Sequence, residues 1–187
     1  MSRSFEQLLA VHCGPTFAGI KPACLFSCEK RHCPVYPASI WEYGRLFQSR
    51  KIHFEILGER AERFLLLVYH RDKLSAQLAG AGQQAILRRQ GYPATADLPA
   101  ALAHLKKRVA GQEDFPHEIG IFLGYPPADV AGFQENRGKN YLLCGYWKVY
   151  ANAGEAKSMF ERYDRCRETI ARRLSAGLSI AQLFRAV

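Results

Sequence analysis

From position 154 onward, apolar residues recur on one side of a helix. Ala156, Met159, Phe160, Tyr163, Cys166, Ile170 and Leu174 follow at steps of three, one, three, three, four and four, opposite Lys157, Arg165, Glu168 and Arg172. The stripe predicts an amphipathic helix from Asn152 or Gly154 to about Ala176. Gly177 suits its C-terminal cap, and Ser179 opens a last turn or two. A different pattern marks Phe64–Tyr69, where FLLLVY is continuously apolar. Such a run predicts a strand covered on both faces, hence central in its sheet. Its partner is the strand 52–57, joined to it across GERAE with Gly58 in the hairpin loop.

The remaining pattern is helical with interruptions. Ile40, Tyr43, Leu46 and Phe47 place one apolar face on a helix over 38–50, and Leu98, Leu102, Leu105 and Val109 do so on a helix capped by Asp97. Helices are also predicted over 72–79, 82–90, 117–124 and 127–134. At the N-terminus a short helix over 4–11 is capped by Ser4. Gly14, Pro15, Gly19 and Pro22 then predict a loop, followed by a strand over 23–28. A Gly-Lys-Asn turn leads into a strand over 141–150, on which Tyr146, Lys148 and Tyr150 face one way and Trp147 and Val149 the other. The expected architecture is α+β: a small mixed or antiparallel sheet of three to four strands packed with helices, in one domain spanning 1–187.

Composition narrows the class. The 187 residues are 48% hydrophobic and 23% charged, in the range of globular proteins. No apolar run approaches the ~20 residues of a membrane span, so no membrane partner is expected. Glu6 and Gln7 interrupt what would be the apolar core of an export signal, so the expected location is cytoplasmic. There the six cysteines are thiols or ligands rather than disulfides. The net charge of +9 raises nucleic acid as a partner. Its spread is even, with an excess of three basic residues in each of 1–60, 61–114 and 154–187. A nucleic-acid binder more often carries a clustered stripe or tail.

Four places carry groups capable of chemistry. Cys24, Cys28 and Cys33, with His32 beside the third, have the spacing Cys-x3-Cys-x4-Cys. They are either metal ligands or small buried hydrophobes, since Cys24 and Cys28 share a face of a strand. His12-Cys13 sits before Gly14-Pro15; there Cys13 is a candidate nucleophile with His117 as base and Glu118 orienting it. Pro116-His117-Glu118 lacks the second histidine of a zinc protease, because position 121 is Ile. His117 alone can ligate iron or haem or move a proton, while Pro116 and Glu118 also make an ordinary helix start. Lys139-Asn140, in the Gly-Lys-Asn turn, offers amides and an ammonium to an anion, and Tyr146, Trp147 and Lys148 offer a stacking wall or a surface along which a lysine stem lies. A glycine-rich phosphate loop is absent, which argues against nucleotide folds.

The segments HCGPTFAGIKPACLF, FPHEIGIFLGYPPADVAGF and ENRGKNYLLCGYWKVY, with the ERYDRCR helix, resemble a domain-of-unknown-function family found mainly in anaerobic bacteria. The resemblance covers nearly the whole chain. It implies as site positions His12, Cys13, Lys21, His117, Glu118, Lys139, Asn140, Tyr146, Trp147 and Lys148, and a reducing host in which iron chemistry is favoured. The leading expectation is therefore a cytoplasmic protein binding a small molecule or metal, iron or haem first, where the His12-Cys13 loop meets the His117-Glu118 helix start. A cysteine-dependent hydrolase or transferase using Cys13 and His117 is the rival, and an RNA-binding module the third reading.

Overall fold

The Phe64–Tyr69 run lies in the middle strand of the larger sheet, as its continuous apolar character predicts. The computed structural model describes residues 4–33, 35–93, 97–111 and 115–184. Its elements make an α+β fold. The chain divides into two compact units: Met1–Lys73 with Arg165–Val187, and Leu74–Asp164. Among the described residues, no helix is long and apolar enough to cross a membrane.

In the first unit, β1 (Ala23–Glu29), β2 (Ile52–Glu59) and β3 (Arg63–His70) form an antiparallel sheet in the order β1-β3-β2. Phe64, Leu66 and Val68 of β3 face Cys24, Phe26 and Cys28 of β1 on the side covered by α1 (Phe5–Phe17). Phe5, Leu9, Cys13 and Phe17 of α1 complete that core. Phe17 meets Phe47 at 4.8 Å and Phe184 at 5.4 Å between ring centroids.

The expected loop after residue 11 is instead helix, because α1 runs on to Phe17 with Pro15 inside it. Gly14 and Pro15 read as breakers, but the helix stops at Gly19, whose φ is +69°. The Gly19 N–H donates to the Thr16 carbonyl at 3.0 Å and the Ile20 N–H to the Pro15 carbonyl at 2.8 Å, the two bonds of a Schellman cap. Gly14 is there for space: a Cβ would come within 2.7 Å of Ile170 Cδ1. The helix α2 (Ala38–Leu46) also ends earlier than its apolar spacing predicts, giving way to a short 3₁₀ turn over Gln48–Arg50.

The chain passes to the second unit within α3 (Arg71–Leu78). There α4 (Ala81–Arg89) and α5 (Leu98–Gly111) precede α6 (Ile119–Phe122) and α7 (Pro127–Glu135). Asp97 caps α5 as its sequence predicts, accepting from the Ala100 N–H at 2.9 Å. The strand expected over 141–150 is a small hairpin: β4 (Leu143–Cys144) pairs antiparallel with β5 (Lys148–Val149), and Gly145, Tyr146 and Trp147 make the loop. Gly145 explains the break, because a Cβ there would overlap the Phe160 ring. The long helix α8 (Ala153–Ser175) follows and buries its predicted stripe, Phe160 and Tyr163 in this unit and Ile170 in the first. Its cap at Gly177 and the Ser179 capping box that starts α9 (Ile180–Leu183) also stand where the sequence predicts.

Candidate functional site

The site residues expected from sequence fall in both units. His12, Cys13, Lys21, Cys24, Cys28 and Cys33 belong to the first; His117, Glu118, Lys139, Asn140, Tyr146, Trp147 and Lys148 belong to the second.

In the first unit these groups are mostly packed rather than presented. His12 is exposed and stacks on Phe26 at 4.8 Å, while Cys13, one residue on, is fully buried. Burial holds the Cys13 thiol well above its ordinary pKa, with its hydrogen bond to Cys24 adding in the same direction. That is the environment of a packed thiol, whereas a nucleophilic cysteine needs the opposite shift. Lys21 is buried beside both thiols, and its burial lowers its pKa. Cys24 and Cys28 share the core face of β1, as the alternation predicts, and burial pushes the Cys28 thiol up to about 11. Cys33 is buried in the same core. Among the described residues, no three or more His, Cys, Asp or Glu side chains are grouped so as to hold a metal ion.

The second unit contains a cavity of about 280 Å³. Phe115, Ile119, Tyr125, Val130, Phe133 and Trp147 make its walls apolar and largely aromatic. His117, Asp129, Cys144 and Lys148 contribute the polar groups, and Gly120 and Gly145 line it with backbone. Three expected site residues, His117, Trp147 and Lys148, thus meet around one space. Trp147 and Lys148 do so although strict alternation would send them to opposite faces. Trp147 belongs to the hairpin loop, whereas Lys148 pairs across the strands with Cys144, which puts those two on one side.

Each wall is fixed by its own contacts. Trp147 stacks on Tyr125 at 4.9 Å and meets Phe160 edge-on at 4.5 Å. His117 is exposed and meets Phe133 edge-on at 4.9 Å. Lys148 Nζ donates to the Gly138 carbonyl at 2.7 Å and stands 5.7 Å from the Phe133 centroid and 5.1 Å from that of Tyr141. The Gly-Lys-Asn turn therefore serves the cavity through Gly138, while Lys139 and Asn140 themselves are exposed. Tyr146 points elsewhere, its hydroxyl donating to Asp164 at 2.6 Å.

Two carboxylates hold this arrangement from behind. Glu118, 1% exposed, pairs with Arg108 and accepts from the Tyr92 hydroxyl at 3.3 Å. Arg108 in turn donates to the Gln90 side chain at 3.0 Å. The single turn α6 starts only after Glu118, so this carboxylate anchors the loop to α5 instead of complementing a helix dipole. Asp129, 2% exposed, accepts from Trp147 Nε1 at 2.7 Å and from the backbone N–H groups of Tyr150 and Ala151 at 2.7 and 2.9 Å. Sequence reasoning missed Asp129, and also Tyr125, Phe133 and Cys144 as cavity residues. Asp129 falls in the first turn of a helix opened by Pro127, where an acidic residue is ordinary, so nothing local marks it.

No curated protein and no solved structure matches the chain. A family described as "protein of unknown function (DUF3793)" matches residues 9–184, and the chain belongs to that family.

Proposed function

We propose that the protein is a cytoplasmic binder of a small organic molecule, held in the cavity of the second unit. The observation that carries this reading is the convergence of His117 and Lys148 on an aromatic-walled space built by Phe133, Tyr125 and Trp147. Ligand sites are concave and mostly apolar, with few polar groups that fix orientation, and volumes of roughly 300–1,000 Å³ are usual. At about 280 Å³ the cavity suits one ring with a short substituent. A haem macrocycle is a poor match for that volume, which favours a smaller organic ligand in this cavity. The buried, proton-retaining Cys13 favours packing over the hydrolase reading. The zero net charge of residues 115–150 favours a small ligand over RNA at this surface. Six free cysteines support a reducing compartment.

The test uses Trp41→Phe protein, in which Trp147 is the remaining tryptophan. One-ring compounds should change Trp147 emission saturably. Cys144→Phe, a plug placed at an exposed lining position, should abolish the change without altering the unfolding midpoint. Emission indifferent to every compound, or a response that survives the plug, contradicts the proposal.

A further inference from the structure

The cavity has an electrostatic bias, and we infer that its occupant is a monoanion: an aromatic ring bearing one carboxylate, with the carboxylate on Lys148. The inference rests on the cavity being a binding site and adds the chemical class of the ligand.

Among the described residues, two charged groups line the space, and their states differ. Asp129 is already well satisfied: one oxygen accepts from two backbone N–H groups and the other from the Trp147 indole, with all three bonds at 2.7–2.9 Å. A carboxylate with three donors is a poor partner for a ligand cation, because each donor would have to weaken its bond to share it. Among the described residues, Lys148 has donors to spare. An ammonium has three N–H donors, and among the described residues one is taken, by the Gly138 carbonyl. No carboxylate among the described residues forms an ion pair with Lys148; its other neighbours are the faces of Phe133 and Tyr141. Aromatic faces attract a cation but accept no strong hydrogen bond, so the remaining donors suit an oxygen acceptor arriving with the ligand.

The rest of the lining specifies the body. Trp147, Tyr125 and Phe133 present ring faces and edges suited to a planar group. His117 meets Phe133 edge-on at 4.9 Å and lines the same space, adding a second polar side chain to the lining. A dianionic phosphate is normally met by Arg forks or by several amides at a helix start. Among the described residues, the cavity offers one lysine and no arginine. A single charge on a single ring is what the set matches.

Three near-isosteric probes separate the possibilities: benzoate, the neutral benzamide and the cationic benzamidine. They are titrated by Trp147 emission into Trp41→Phe protein, and again with Lys148→Met added. Benzoate should bind at least about 10-fold more tightly than benzamide, the ratio a charge-assisted hydrogen bond provides, and benzamidine more weakly than either. Lys148→Met should bring benzoate to within about 3-fold of benzamide, as loss of that one charge-assisted bond requires. Benzamide, whose neutral carbonyl takes a weaker bond from Lys148 than a carboxylate does, should lose less affinity than benzoate, and an unchanged far-ultraviolet circular dichroism spectrum shows the variant to be folded. Benzamide or benzamidine binding as tightly as benzoate overturns the anion assignment while leaving the cavity reading intact. A benzoate preference that survives Lys148→Met overturns the role of Lys148. Failure of all three probes overturns the binding reading itself.

Discussion

Three N–H groups from residues 18 to 22 positions further along the chain converge on one buried carboxylate, Asp129, and fix the hairpin that carries Trp147 and Lys148. Removing it strands those donors, and a buried unsatisfied donor costs about 1–3 kcal/mol. Asp129→Ala should therefore lower stability by roughly 3 kcal/mol or more in urea unfolding and weaken ligand binding, because the Trp147 wall loses its anchor. Asp129→Asn should fall between the two proteins, since the amide keeps one acceptor oxygen. An alanine variant within about 0.5 kcal/mol of the parent, the usual range of an indifferent surface change, contradicts this role. At this scale the sequence is a partial guide. His117, Trp147 and Lys148 stand out as reactive or aromatic side chains near turns, whereas Asp129 acquires its role from partners distant in sequence. Glu118 is adjacent to His117 in sequence, yet its carboxylate is taken up by Arg108 and Tyr92.

Elements with a long hydrophobic period are the legible ones. The 154–176 stripe, the FLLLVY strand and the Asp97 and Ser4 caps each carry several signals that agree. Prediction fails where one glycine has two meanings. Gly14 permits close approach to Ile170 within α1, while Gly19, five residues on, is the actual stop. Gly145 likewise ends a strand that its aromatic neighbours predict to continue, because the Phe160 ring occupies the space of a side chain. Overpacking of this kind typically costs about 1–3 kcal/mol. Gly145→Ala should lower stability by that order and shift the Trp147 emission, and the added change Phe160→Leu should restore part of both. Unchanged stability in Gly145→Ala contradicts the close packing of hairpin and helix.

Over the whole molecule the α+β class follows from strands and helices read independently, and the central position of β3 from its two-sided apolar character. The division into two units is not written in the pattern, since the single stripe of α8 packs Phe160 against Trp147 near one end and Ile170 against Gly14 near the other. Buried and half-buried tyrosines give both units a pH signature. Burial pushes the phenols of Tyr43, Tyr125 and Tyr163 up to about 12. Above about 10 an unfolded chain releases protons that the folded protein retains. Stability from these groups is therefore complete below pH 10 and lost as pH rises through about 12. Phenolate absorbance should show an exposed class of the nine tyrosines titrating first and the rest only with unfolding; one uniform titration near pH 10, the ordinary phenol value, contradicts it. The central claim is the ligand cavity, and the two tryptophans report on it directly. In a nitrogen–proton correlation spectrum of the full chain titrated with benzoate, the Trp147 indole N–H should move saturably. Trp41, which is 72% exposed and belongs to the other unit, should stay still. A stationary Trp147 resonance, or equal drift of both, contradicts the account.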